Sequence, residues 1–365
     1  MVKHPVCIIC LLVSYVGLSQ PFDTSSYNIS AEMTGEADRY FTTDPVWRGG
    51  DGASSIDLEN EKVLWLFSDS FICTDSSRLR INSDLIRNSI AIQEGYNLQN
   101  APVTYYWNTT KKKPHAFFTA KGKFWYWTGH GIMLRDKLLI FLMNVRSIKS
   151  ELGFEIFGWD AVLVSNPLDD PTAWKTEYIE GSETYGLIAG SSAVLKDDKY
   201  VYAFGAVEPA THEAYVLRWT IDDACMGHLN KPEWGFNGKW KTRNSHTPVP
   251  EPLFIGATEY SVHYDSALEK FIQVQSYGFG EGKIGIRMSD RIEAGWTEPY
   301  VVYTPEYPGV RKPLIYAAKA HPELLAEGIY ITYNVNSADF GELLENHDLY
   351  FPKFVLLNLS KRKKP

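Results

Sequence analysis

A unit that recurs five times constrains this chain more than anything else in it. The first copy opens with a small, polar segment, Trp47-Arg48-Gly49-Gly50-Asp51-Gly52-Ala53-Ser54-Ser55-Ile56, and turns at Glu59-Asn60-Glu61. A nearly unbroken apolar run follows, Val63-Leu64-Trp65-Leu66-Phe67, ending in Ser68-Asp69-Ser70-Phe71. The first segment reads as a strand with one carboxylate. The second reads as a strand buried on both faces. Gly-Asp-Gly at the head of such a strand lets backbone or ligand come close to a charged group. The pattern returns at Trp127, Gly190, Glu259 and Ala317, with apolar strands expected at 138–142, 200–205, 271–275 and 329–333. Three copies add a further strand (161–167, 215–219, 285–290) and a tryptophan after a polar turn, Trp174, Trp240 and Trp296, suited to packing on a neighbouring sheet.

Short strands repeating at roughly 50 to 70 residues predict an all-β, five-bladed β-propeller with four-stranded blades. No Pro-, Gly- or Ser-rich linker divides it, so one propeller domain is expected over 41–360. Residues 21–40 read as a loose polar lead-in, 361–365 as a solvated basic tail, and Lys111-Lys112-Lys113-Pro114 as an exposed loop between the first two blades. Residues 1–20 have the pattern of a signal peptide: Lys3, an apolar stretch over 6–18, and small residues at Gly17-Leu18-Ser19. That stretch is short for a membrane span, and no other segment could cross a bilayer. The expectation is a secreted or periplasmic protein. Outside the leader only Cys73 and Cys225 remain; they could pair or stay as two separate thiols.

Aromatic residues make up 14% of the chain, with 11 Trp and 22 Tyr, which suits an all-β protein that handles sugars. The net charge of -8 argues against nucleic acid as a partner. No nucleophile elbow, phosphate-binding loop or dinucleotide fingerprint is present.

In a propeller the first strands line the central channel, so their polar residues converge. Here these are Asp51, His130, Ser191 or Ser192, Glu259 with His263, and Lys319 with His321, with Asp69 at the far end of a second strand. Cleaving a glycosidic bond takes one carboxylic acid to protonate the leaving oxygen and a second carboxylate to activate water or attack. Asp51, Asp69 and Glu259 are the candidates, each also explicable as a turn or strand-end acid. Asp51 is expected to be base or nucleophile, Glu259 the general acid, and Asp69 a positioning group. His130, His263, Lys319 and His321 are expected to bind substrate, with Arg48, Asn88 and Asn334 as further subsite residues. Arg287 is a weaker candidate of the same kind. Trp47, Trp127 and Tyr316 are aromatics for stacking. For the histidines a satisfied core role is the alternative, and their spacing matches no local zinc motif. No metal or other cofactor is expected; a calcium ion in the channel has no motif to support it.

Gly49-Gly50-Asp51-Gly52, the run from Leu64 to Phe71, Arg87-Asn88-Ser89 and the run from Glu259 to Asp265 are also characteristic as motifs. Together with Ala317-Ala318-Lys319-Ala320-His321-Pro322-Glu323 and Thr332-Tyr333-Asn334-Val335-Asn336-Ser337, they resemble the domain of unknown function numbered 4185 and its relatives. The resemblance covers nearly all of the chain after the leader. It implies a five-bladed propeller, and some members of that group are endo-D-arabinanases of glycoside hydrolase family 183. One departure stands out. Where a second Gly-Asp-Gly is expected, this chain has Gly129-His130-Gly131. Either the chemistry falls to Asp51, Asp69 and Glu259, or the protein binds without cleaving. The reading is thus a monomeric glycoside hydrolase acting on an oligo- or polysaccharide, with an arabinofuranose polymer as the substrate the resemblance names. The alternatives are a non-catalytic glycan-binding propeller and, less favoured, an interaction propeller with no sugar ligand.

Overall fold

The structure is a computed structural model and describes residues 19–150, 153–209, 211–236, 238–278 and 282–363. The expected leader lies outside these, save Ser19 and Gln20.

Each sequence unit folds into an antiparallel sheet. The first sheet runs Ser54–Asp57, Lys62–Phe67, Ser89–Glu94, Val103–Tyr106. The second runs Trp125–Leu134, Lys137–Ser147, Phe154–Val164, Thr176–Glu180. The third begins Ala193–Lys196, Tyr200–Ala206, Glu213–Thr220 and extends to six strands. The fourth runs Ser261–Asp265, Lys270–Tyr277, Lys283–Ser289, Tyr300–Tyr303. The fifth runs Pro313–His321, Ile329–Ser337, Lys353–Lys361 and closes with Tyr27–Met33.

The second strands show why the sheets stack in a circle. In Lys62–Phe67, Leu64 and Leu66 pack toward the second sheet, while Val63, Trp65 and Phe67 pack toward the fifth. In Lys137–Ser147, Leu138, Ile140 and Leu142 face the first sheet, and Leu139, Phe141 and Met143 face the third. Five apolar cores result, one between each pair of successive sheets, including the fifth and first. Each buried Leu, Ile or Phe contributes roughly 1.5–3 kcal/mol. The inner strands touch in sequence: the first meets the second, then the third, fourth, fifth and the first again. Their polar residues therefore share one axis.

Three expectations change. The supposed loose lead-in holds Tyr27–Met33, which pairs along its length with Lys353–Lys361, Tyr27 opposite Lys361 and Met33 opposite Val355. Tyr27, Ile29 and Ala31 alternate with polar residues and bury one face, as an outer strand does. The supposed basic tail begins inside that sheet: Lys361 is its last paired residue, and Arg362 Nε donates to Tyr27 O at 2.9 Å. The supposed basic loop is the tip of a two-stranded hairpin, Asn108–Thr110 with Lys113–His115, whose turn residues Lys111 and Lys112 have φ of 52° and 66°. Cys73 and Cys225 are both buried free thiols; Cys73 Sγ lies 3.1 Å from Asp75 Oδ1, and Cys225 packs between the second and third sheets.

Candidate active site

The opening strand of the first unit breaks in two. Trp47–Gly50 leaves the first sheet and joins Ser70–Ile72 and Asp84–Ile86 in a small sheet of their own. Asp51 and Asp69 sit at the corner where the chain passes between the two sheets. They are backbone neighbours there: Asp51 N–H donates to Asp69 O at 3.2 Å, and Ser68 N–H to Asp51 O at 2.8 Å. Gly49 makes the corner possible. Its φ is +118°, and a Cβ would stand 2.7 Å from Tyr350 O. With that space open, Gly50 N–H reaches Tyr350 O at 2.9 Å, and the Tyr350 hydroxyl arrives at Asp51.

Asp51 Oδ2 accepts from Tyr316 Oη at 2.8 Å and from Tyr350 Oη at 3.0 Å, while Oδ1 is buried without a partner. Burial first, then the charges of Asp69 and Glu259, push the Asp51 pKa up to about 8; the two phenols oppose the rise. Asp69 accepts from Trp127 Nε1 at 2.8 Å and pairs with Arg87 Nη1 at 3.0 Å, yet burial still raises it. Glu259 Oε1 is ion-paired with Lys319 Nζ at 2.6 Å, and the same ammonium donates to Gly52 O. Lys319 is 2% exposed, so these two partners are what make its burial tolerable.

Tyr316 and Lys319 are three residues apart and would point to opposite faces of a regular strand. A bulge between them, with Ala317 at φ 58°, gives one extra residue on this strand: Tyr316 pairs with Asn334 but Lys319 with Thr332. Both side chains thus reach the carboxyl cluster.

The other expected site residues separate from this cluster. His130 Nδ1 accepts from Val194 N–H at 2.9 Å, so Nε2 carries the hydrogen and donates to Ser55 O at 2.9 Å. It ties three inner strands together and has no nitrogen left for a sugar. His321 is fully buried between Ser55 Oγ (2.5 Å) and Thr332 Oγ1 (2.6 Å). His263 is 7% exposed with neither nitrogen bonded. Burial lowers His130 and His263 to about 4 and holds His321 well below the ordinary imidazole value. Glu323, whose carboxyl burial raises to about 7, lies 4.0 Å from His321 Nδ1. These groups form an imidazole cluster, and the charge of Lys319 reaches both His130 and His321.

The structure corrects four binding assignments. His130 and His321 are braces, as described. Trp47 is fully buried, its Nε1 on Ser89 Oγ at 3.0 Å. Asn88 is fully buried and spends its amide on Phe118 O and Tyr126 O at 2.9 Å each, and its Oδ1 on Phe118 N–H at 2.7 Å. Of the weaker candidates, Asn334 Nδ2 donates to Gly50 O at 3.1 Å and holds the corner from below. Arg48 is half-buried, with Nη1 3.3 Å from Asp44 O. Arg287 Nη1 is 2.8 Å from Thr297 O, away from the cluster. Trp127 and Tyr316, expected to stack on sugars, instead hold the carboxylates. Among the described residues no group of three or more His, Cys, Asp or Glu is arranged to hold a metal ion.

Sequence reasoning missed Tyr350, Arg87 and Arg80. Arg80 is fully buried and donates to the carbonyls of Arg48, Leu343, Asn346 and Leu349 at 2.6–3.1 Å, fastening the segment that delivers Tyr350. Arg87 also lies 4.4 Å from the Trp125 ring centre and lines a groove of about 540 Å³ formed by the end of the small sheet, the 108–115 hairpin and the start of the Trp125 strand.

Five sheets thus pack in succession, the fifth against the first, and Asp51, Asp69 and Glu259 gather where these two meet. The chain belongs to the family described as a domain of unknown function, DUF5005, which it matches over residues 35–358. A comparison with curated proteins finds no match. Among solved structures it is similar to a Bacteroides ovatus ATCC 8483 protein provisionally described as a hydrolase. The TM-score is 0.71 at 16% identity, with 90% of each chain covered, a likeness of fold. It also aligns with an α-L-arabinofuranosidase from Podospora anserina solved with cellotriose (TM-score 0.49, 11% identity, 93% of this chain and 98% of that one). A Coprinopsis cinerea α-L-arabinofuranosidase catalytic domain aligns with TM-score 0.47 and 10% identity, over 92% of this chain and 98% of that one.

Proposed function

We propose that this chain is a secreted five-bladed β-propeller glycoside hydrolase, its blades the five sheets and its catalytic groups Asp51 and Glu259, with Asp69 beside them. The observation that carries the reading is the meeting of three carboxyls at one corner, with Asp51 raised to about 8. Clustered acids of one sign are costly to a fold and are what two-carboxylate hydrolysis needs. The description of the Bacteroides ovatus protein as a hydrolase is consistent with this reading.

The electrostatics favour roles opposite to those expected from sequence. Asp51 holds a proton at neutral pH. Its Oδ2 accepts from two phenols, which leaves the buried, unpartnered Oδ1 to carry the proton; the leaving glycosidic oxygen receives it only when substrate reaches that buried atom. Glu259, ion-paired with Lys319 and 19% exposed at its side chain, is the carboxylate that activates water or attacks the anomeric carbon. Asp69, held by Arg87 and Trp127, keeps the Asp51 proton in place by its charge. The substrate named by the resemblance to the 4185 group is an arabinofuranose polymer of a cell wall.

The test is product release from a panel of cell-wall polysaccharides, D-arabinan included. The wild type cleaves at least one, and Asp51→Asn and Glu259→Gln each lose roughly 10²–10⁴-fold in rate. Cleavage unaffected by either substitution, or binding of a glycan with no cleavage by the wild type, overturns the proposal.

A further inference from the structure

The groove that Arg87 lines is bounded by hydroxyl, imidazole and aromatic side chains. Arg87 is shared between the two sites: its Nη1 pairs with Asp69, and its guanidinium stacks on Trp125. From there the groove passes between the Trp125 strand and the hairpin Asn108–Thr110/Lys113–His115. The Thr109, Thr110 and His115 side chains line it, are exposed, and make no hydrogen bond among the described residues. Phe124 and Trp125 are its aromatic lining residues; the Arg87 guanidinium sits over the Trp125 ring, and Trp125 Nε1 is buried without a partner among the described residues. Free hydroxyls beside aromatic faces are the chemistry that holds sugars.

Its charge is one-sided. No carboxylate lines the groove. The chain has no Asp or Glu between Glu94 and Asp136, in a protein of net charge -8. Within that stretch Lys111, Lys112 and Lys113 sit at the hairpin tip and first strand position, and Lys121 and Lys123 flank the lining residues Ala120 and Phe124. All five are exposed, and none is in an ion pair among the described residues. None of the five is itself a lining residue, but they adjoin the lining residues Thr110, Pro114, Ala120 and Phe124 in the chain, and unpaired like charges so gathered repel one another unless an anion lies between them.

We infer that this groove binds a stretch of polysaccharide chain bearing carboxylate or sulfate groups, and that it feeds the chain to the carboxyl cluster through Arg87. The inference rests on the reading of that cluster as a glycan-cleaving site and names the class of polymer it receives. Trp125 and Phe124 take the sugar faces, Thr109, Thr110 and His115 the hydroxyls, and the lysines the anionic groups.

The test measures binding of the intact protein carrying Asp51→Asn, so that no polymer is consumed. Polygalacturonate is compared with its fully methyl-esterified, neutral form, and dextran sulfate with dextran. The expected result is at least about tenfold tighter binding to one anionic polymer than to its neutral counterpart, weakening with salt. Replacing Lys112, Lys121 and Lys123 together with Ser removes that preference, and Trp125→Ala weakens both members of the pair. Carboxylate and sulfate are told apart by which pair shows the preference. Equal binding within both pairs, or a preference undiminished by the lysine replacements, overturns the inference. A second set, Lys111→Ser with Lys113→Ser, serves if the first fails to fold. The two readings fail separately. Preferential binding with no cleavage of any glycan by the wild type removes the hydrolase and leaves the groove. Cleavage of a neutral glycan without anionic preference removes the groove and leaves the hydrolase.

Discussion

Two clusters of polar groups meet on the inner strands, and they differ in what their atoms have left to offer. In the imidazole cluster His130 and His321 spend both ring nitrogens on neighbouring strands. His263 is buried, and neither of its nitrogens has a partner among the described residues. Burial penalises the cation of all three rings, and His130 and His321 act as pins between sheets. In the carboxyl cluster the protein gathers acids that oppose one another and supplies phenols, an indole, an ammonium and a guanidinium to hold them. A fold needing only pins has no use for that arrangement. Lys319 bonds only on the carboxyl side, to Glu259 and Gly52 O, and acts on His130 and His321 through its charge.

The contrast breaks first under substitution. Asp51→Asn is expected to lower glycan cleavage roughly 10²–10⁴-fold. His263→Leu leaves the rate unchanged and holds or raises the melting temperature, since it removes two unpaired buried nitrogens. A loss of activity in His263→Leu with an unaltered fold would show that the imidazole cluster takes part in the chemistry.

Next in size is Lys319→Met. It leaves Glu259 and Gly52 O without their cation, and breaking such a pair costs about 3 kcal/mol, readable in urea unfolding. Stability that stays level would mean that the ammonium contributes nothing to the cluster.

The pH dependence of the buried histidines and that of the buried carboxyls run in opposite directions. Folded His130 and His263 bind protons more weakly than the unfolded chain does. Their contribution is therefore intact above pH 6.5 and is lost as pH falls toward 4. For the buried His263 this amounts to about 3 kcal/mol. Asp51 and Glu323 are raised in the fold, to about 8 and about 7, so the folded state gains from their protons at low pH and loses that gain as pH rises through those values. Melting temperatures taken from pH 4 to 9 should show an acid limb that His263→Leu reduces and an alkaline limb that Asp51→Asn reduces. An acid limb unmoved in His263→Leu contradicts this assignment.

The smallest effect is expected from Tyr350→Phe. The phenol holds the Asp51 pKa down, so its loss moves the alkaline limb of the cleavage rate upward, with a rate change of about tenfold or less. A downward movement would show that Tyr350 does not donate to Asp51.

How much of this was legible in the sequence follows from the range of each interaction. Apolar strands such as Val63 to Phe67 announce themselves because both faces are buried, so the repeat and the five cores could be read directly. Asp51, Asp69, Glu259 and Lys319 could be read from their places in the repeat. The closing strand Tyr27–Met33 was half legible, since the alternation of Tyr27, Ile29 and Ala31 was present but its partner lay at the other end of the chain. Tyr350 and Arg80 were not legible. Their partners Asp51 and Leu343 are 299 and 263 residues away, and no local pattern marks a phenol or guanidinium that acts through such contacts. The role of His130 was hidden for a related reason. Gly129 packs against Gly190, where a Cβ would stand 2.4 Å from its carbonyl oxygen, so a glycine that looked like part of a binding motif serves the seam between two sheets.

The most direct test of the account is the ionisation of Asp51 itself, read as the carboxyl-band difference between wild type and Asp51→Asn in an infrared pH titration. The account predicts a protonated carboxyl band present in the wild type at neutral pH, absent from the variant, and lost near pH 8. A band already gone by pH 5 would mean that Asp51 ionises as an ordinary carboxylate, and the proton-donor role assigned to it would fall.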